Sequence, residues 1–103
     1  MTRALLVLCG IVFASSAFSG PHYQSGNIYN TTSLTSGLLI MLDSGLPDNC
    51  AGTIAGWMKI PESAKTMIAV TLIAKIQNSG VTVYTDGIDG SGFCIVNQVD
   101  PNS

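Results

Sequence analysis

Apolar positions along this chain fall into blocks with different spacing. The first is continuous, Ala4 to Ala14, preceded by Met1-Thr2-Arg3 and followed by the small-residue exit Ser15-Ser16-Ala17-Phe18-Ser19-Gly20. A basic start, an apolar stretch of about ten residues and a small-residue exit form the pattern of a secretory leader. The run is shorter than the roughly 20 apolar residues a membrane-spanning helix needs. Residues 1–19 are therefore expected to be a signal peptide and 20–103 one small domain. Cleavage fits after Ser19 or after Ala17, because a cut after Gly20 would place Pro21 beside the bond. Lipid attachment at Cys9 is excluded by Leu8, which stands where a small residue is needed, and by its early position.

Beyond the leader the pattern predicts five strands and one helix. Pro21 to Ser36 is polar, with a short candidate strand over Gly26 to Asn30. Leu38 to Asp43 is a continuous apolar run, as for a strand covered on both faces. Ser44 to Asn49 supplies turn residues, and Ala51 to Lys59, carrying Trp57, reads as a third strand. Either Pro61 in the first helical turn, followed by Glu62, or Ser63 as a cap opens a helix over Ala64 to Gln77. That segment holds no glycine or proline, and Asn78-Ser79-Gly80 supplies a glycine stop. Val81 to Thr85 and Phe93 to Val99 read as strands on either side of a turn-rich loop, Asp86 to Gly92. The order β-β-β-α-β-β, mostly β with one helix, is that of a small five-stranded barrel of the oligonucleotide/oligosaccharide-binding (OB) type. An α+β sheet with one packed helix is the alternative.

On a helical wheel the apolar residues of Ala64 to Gln77 spread around most of the circumference, and Lys65, Thr66, Thr71, Lys75 and Gln77 do not gather on one side. A surface helix normally keeps a distinct polar face. The pattern points to a homo-oligomer held through this helix.

Composition narrows the functions. Without the leader, the chain has Lys59, Lys65 and Lys75 against six acidic residues and no arginine, a net charge near −3. Binding to nucleic acid or to an anionic membrane surface rests on cationic side chains, so both are disfavoured. Two cysteines remain, Cys50 and Cys94, and in an oxidising compartment such a pair forms a disulfide. Closing a loop of this length stabilises a small domain by about 4 kcal/mol in the chain-entropy model. Secretion or a periplasmic location follows from the leader and this pair together.

Candidate chemistry is sparse. His22 is the sole histidine and lies in the N-terminal stretch without partners for catalysis. Asp86 and Asp89 miss the register of a calcium loop and fit a tight turn, and Gly87, Gly90 and Gly92 precede no helix that could cradle a phosphate. No catalytic residue, metal ligand or cofactor site emerges, and the chain reads as a non-enzyme. Asn30-Thr31-Thr32 is a glycosylation sequon, relevant only in a host that glycosylates. Trp57 and Tyr84 are the candidate ligand-binding residues, as stacking surfaces for a sugar or a protein partner. Core packing is the competing reading for Trp57.

The segment Ala51 to Tyr84 carries a resemblance. Trp57, a helix with Met67, Leu72 and Ala74, then Ser79-Gly80-Val81-Thr82-Val83-Tyr84, together with Gly92 to Asp100, resembles small exported bacterial proteins of unknown function. The Trp–helix–Gly–Val pattern is also similar to the binding subunits of subtilase-cytotoxin and typhoid-toxin type toxins. The resemblance covers about 50 residues and omits the N-terminal third, where those subunits contact sugar, and their second cysteine pair. It implies a five-stranded barrel, export, assembly as a ring and a glycan ligand, with no binding residue carried over. The expected function is an exported non-catalytic binding module for a glycan. The alternative is a secreted or periplasmic inhibitor or accessory protein acting by protein contact.

Overall fold

The structure, a computed structural model, describes residues 20–102; the expected leader lies outside the described residues. Five strands and one helix follow in the order β1 (Tyr23–Leu34), β2 (Gly37–Leu42), β3 (Met58–Pro61), α1 (Lys65–Gln77), β4 (Gly80–Ile88) and β5 (Cys94–Pro101). The strands pair as a closed barrel, β1-β2-β3-β5-β4, with β4 returning to β1. All pairs are antiparallel except β3 with β5.

β1 makes this closure possible. It is far longer than the expected Gly26 to Asn30, because most of its residues are polar, the buried Gln24 included, and hide the strand in a polarity reading. Its first part, Tyr23 to Asn27, pairs with β4, and Ile28 to Leu34 pairs with β2. Within the second part, between Ile28 and Asn30, Tyr29 is an extra residue in the register, and such a bulge bends a strand. One bent strand thus joins both ends of the ring. β2 is buried along nearly its whole length, as its unbroken apolar run predicts.

The expected strand over Ala51 to Lys59 is corrected. One short 3-10 turn, Asp48–Cys50, ends just before it, a second, Ile54–Gly56, lies inside it, and the strand begins only at Met58. Gly52, Ala55 and Gly56 all take positive φ, outside the regular strand conformation. The start of the helix also moves. Pro61 ends β3 opposite Gly37, and Glu62 N–H donates to the Ser36 carbonyl, so neither residue is free to begin a helix. The helix starts at Lys65, and neither Pro61 nor Ser63 caps it, since Ala64 holds the cap position. At the far end the left-handed residue is Asn78, while Gly80 already belongs to β4. β4 itself runs on through Asp86 to Ile88, shortening the expected loop.

Inward-facing Ile28, Ile40, Ile60, Val81, Val83 and Val96 fill the barrel, and Ala74 plugs it from the helix, with Met67 and Ile68 packed beside it. Cys50 and Cys94 are joined in a disulfide, both fully buried, which fastens the first 3-10 turn to the start of β5. Among the described residues no helix is long and apolar enough to cross a membrane.

Candidate functional site

Alternation decides what β1, β4 and β5 present to solvent, because successive side chains point to opposite faces. Along β4, Val81, Val83 and Thr85 are buried, so Thr82 and Tyr84 face outward. Along β1, Gln24 and Ile28 are buried, so Tyr23 and Ser25 face outward. The register places Tyr23 opposite Tyr84 and Tyr84 opposite Gln98, and in the next row Ser25 opposite Thr82 and Thr82 opposite Asp100. The outer wall therefore carries an aromatic–aromatic–amide row beside a hydroxyl–hydroxyl–carboxylate row.

The Tyr23 and Tyr84 rings lie 6.1 Å apart, inclined at 45°, and the His22 ring meets Tyr23 edge-on at 5.8 Å. Aromatic contacts of this kind hold the two rings in place relative to each other. In the second row Ser25 Oγ and Thr82 Oγ1 are 2.6 Å apart, and Thr82 donates to Asn102 Oδ1 at 3.2 Å. With the Thr82 proton so directed, Ser25 is the donor in the first bond, leaving its own oxygen lone pairs to solvent.

Gln98 also belongs to a groove of about 420 Å³ between β5 and the first turns of α1. Met67, Val70 and Val99 give it an apolar floor, while Ser63, Lys65 and Thr66 stand on the helix side. The Lys65 ammonium is 3.2 Å from Glu62 Oε2 in an exposed ion pair. The tyrosine row and the groove form one continuous surface through Gln98.

Of the two residues singled out from the sequence, Tyr84 lies at the centre of this surface. Trp57 does not join it. It precedes β3, half-buried, its N–H donating to the Ile54 carbonyl and its own carbonyl accepting from Thr53 Oγ1. Its strand meets β5 only at Cys94 and Ile95, well along from Gln98. Tyr23, Ser25, Thr82 and Gln98 were not singled out; the run Tyr23 to Tyr29 shows no alternation of apolar and polar residues, because the inward Gln24 is itself polar. His22 is exposed, and its backbone is fixed rather than loose, its carbonyl accepting from Thr85 N–H.

No protein-family model, curated protein or solved structure matches this chain.

The acidic turn is accounted for by its own bonds. Asp89 Oδ1 accepts from the Ser91 hydroxyl and from Ser91 N–H, and these bonds hold its carboxyl below the usual range. Asp86 Oδ1 accepts from the Asn97 amide. Among the described residues no three His, Cys, Asp or Glu side chains gather as metal ligands.

Proposed function

We propose that this chain is an exported, non-catalytic binding module that takes a saccharide on the Tyr23–Tyr84–Gln98 row and the adjoining groove. The observation that carries the reading is the tyrosine pair flanked by hydroxyls and an amide on one exposed wall. A pyranose ring has apolar C–H faces and a rim of hydroxyls. Tyrosine rings suit the faces, and Ser25, Thr82 and Gln98 suit the rim. The chain's acidity and lack of arginine favour such an uncharged ligand over a polyanion. Export rests on the leader pattern together with a buried disulfide. The strand order, with the helix between β3 and β4, supports kinship with OB barrels and hence with the toxin binding subunits.

Screening the purified protein on a glycan array, followed by titration of the best ligand, tests the proposal. Tyr84→Ala is expected to weaken binding roughly tenfold or more, about 1.4 kcal/mol. Trp57→Phe is expected to leave it unchanged. An array with no bound saccharide, or binding that survives Tyr84→Ala, refutes the reading.

A further inference from the structure

Alternation also fixes what β2, β3 and β5 turn to the outside of the barrel. Ile40 and Leu42 lie in the core, so Leu39 and Met41 point outward. Met58 and Ile60 turn Lys59 outward in the same way, and Cys94 and Val96 turn Ile95 outward. The register lines up Leu39, Lys59 and Ile95 in one row. Leu39 is nevertheless 3 % exposed and Lys59 8 %, so this wall carries a packed layer of its own outside the barrel.

Lysine is almost never buried to this degree without a partner. The Lys59 ammonium stands 5.7 Å from the centre of the Phe93 ring. Among the described residues it has no ion pair and no hydrogen-bond acceptor, Lys65 with Glu62 being the ion pair there. An ammonium carries three donors, and a ring face answers only part of its charge. The group is not sealed off, since Gln24 Oε1 is the enclosed side-chain polar atom left without a partner. Asp89, on the turn before Phe93, is close enough for its charge to be felt. Its carboxyl is held first by the Ser91 hydroxyl and N–H, and Lys59 acts on it only from beyond contact.

A pocket opens two residues further along β2. Tyr29, Met41, Leu46, Ala55 and Gly56 line about 240 Å³, room for one large aliphatic or aromatic side chain. The Tyr29 ring is 60 % exposed, and its hydroxyl donates to Met41 Sδ at 3.4 Å. Two residues along β2 and one strand across separate Met41 from Lys59 by roughly 8 Å. On an extended peptide, side chains two positions apart share a face at roughly 7 Å, and the length of a carboxylate side chain covers the difference.

We infer that this wall binds an extended acidic peptide, with an apolar side chain in the Tyr29–Met41 pocket and the carboxylate of an Asp or Glu two positions away on Lys59. One carboxylate is what a single enclosed ammonium can neutralise, whereas an uncharged ligand would cover Lys59 and leave it unpaired. A polyanion would meet Asp89 beside Lys59 and find no arginine. Lys59 has shed most of its water already in the free protein, so little of its desolvation is left to oppose binding. The inference is independent of the saccharide reading, which rests on the Tyr23–Tyr84 side of the barrel.

Amide NMR of the isotope-labelled protein, titrated with capped peptides of about eight residues to about 2 mM, tests it. Each peptide carries one leucine and one glutamate in an otherwise uncharged polar sequence, the leucine two positions from the glutamate on either side. One control replaces the glutamate by glutamine, and another sets the leucine directly beside it. The spaced glutamate peptide is expected to shift the Leu39, Met41, Lys59 and Ile95 amides and to bind roughly tenfold more tightly than either control. Lys59→Met is expected to abolish the preference for glutamate over glutamine, Tyr29→Ala to weaken every peptide, and Tyr84→Ala to change nothing. Thermal unfolding checks the fold of each variant, and the glutamate–glutamine comparison on the unmodified protein needs no variant at all. No shift up to that concentration, equal binding of the glutamate and glutamine peptides, or a preference that survives Lys59→Met overturns the inference. A saccharide that shifts the same four amides, with no peptide doing so, marks the wall as a sugar site and overturns it too.

Discussion

Gly37 opens β2 where it meets the end of β3. It is buried and pairs with Pro61, and a Cβ placed there would run into the Ile60 carbonyl oxygen. The obstacle is backbone, so the two strands would have to part instead of one side chain turning aside. Gly37→Ala is therefore expected to destabilise the domain by about 1–3 kcal/mol, as overpacking does. Gly90 provides the comparison, since nothing lies within 4 Å of a Cβ built on it. Gly90→Ala is expected to change stability by no more than about 0.5 kcal/mol. Urea unfolding of both variants decides the matter, and equal midpoints would show that the β2–β3 approach is softer than its geometry implies.

At the scale of elements, the helix terminus makes the sharpest case. Asn78 adopts the left-handed conformation at φ 55°, and Ser79 N–H returns to the Ala74 carbonyl at 2.9 Å. An L-residue without a short polar side chain pays about 1–2 kcal/mol for that conformation. Thermal unfolding should place Asn78→Ala below the wild type by about that amount and Asn78→Gly at or slightly above it. Equal melting for Ala and Gly would mean that the turn relaxes to another backbone path. Asn78-Ser79-Gly80 reads as a stop in the sequence, yet which residue turns left-handed depends on where β4 must begin. The same limit applies elsewhere. The unbroken run at Leu38 and the helix body were legible because each is a local pattern. β1 was underread because most of its residues are polar, the buried Gln24 included, and its bulge breaks the alternation at Tyr29. Tyr84 was visible as a lone aromatic, but its pairing with Tyr23 arises only when β1 folds back against β4, 61 positions away in the chain. Site geometry created by register across distant strands leaves no local trace.

For the whole molecule, the weak point is the seam where the shortest strand joins the ring. β3 meets β5 through only Met58–Cys94 and Lys59–Ile95, against seven registered pairs between β4 and β5. Three fastenings tie the turns that precede β3 to β5 and to its neighbour β4. The disulfide joins Cys50 to Cys94, Thr53 Oγ1 accepts from Cys94 N–H at 2.8 Å, and Asn49 exchanges bonds with Thr85, its amide donating at 3.0 Å and its carbonyl oxygen accepting at 2.6 Å. The hydrogen bonds act only once the fold exists, whereas the disulfide also restricts the unfolded chain, by about 4 kcal/mol for a loop of this length. For a domain of this size that is a large part of the net stability. The double variant Cys50→Ala/Cys94→Ala leaves no buried thiol to complicate the comparison. It is expected to lose about 4 kcal/mol in urea unfolding and to expose the β3–β5 amides first in hydrogen exchange. A loss below about 1 kcal/mol, with Cys94 and Ile95 amides still among the slowest to exchange, would mean that Thr53 and Asn49 alone hold the ring shut.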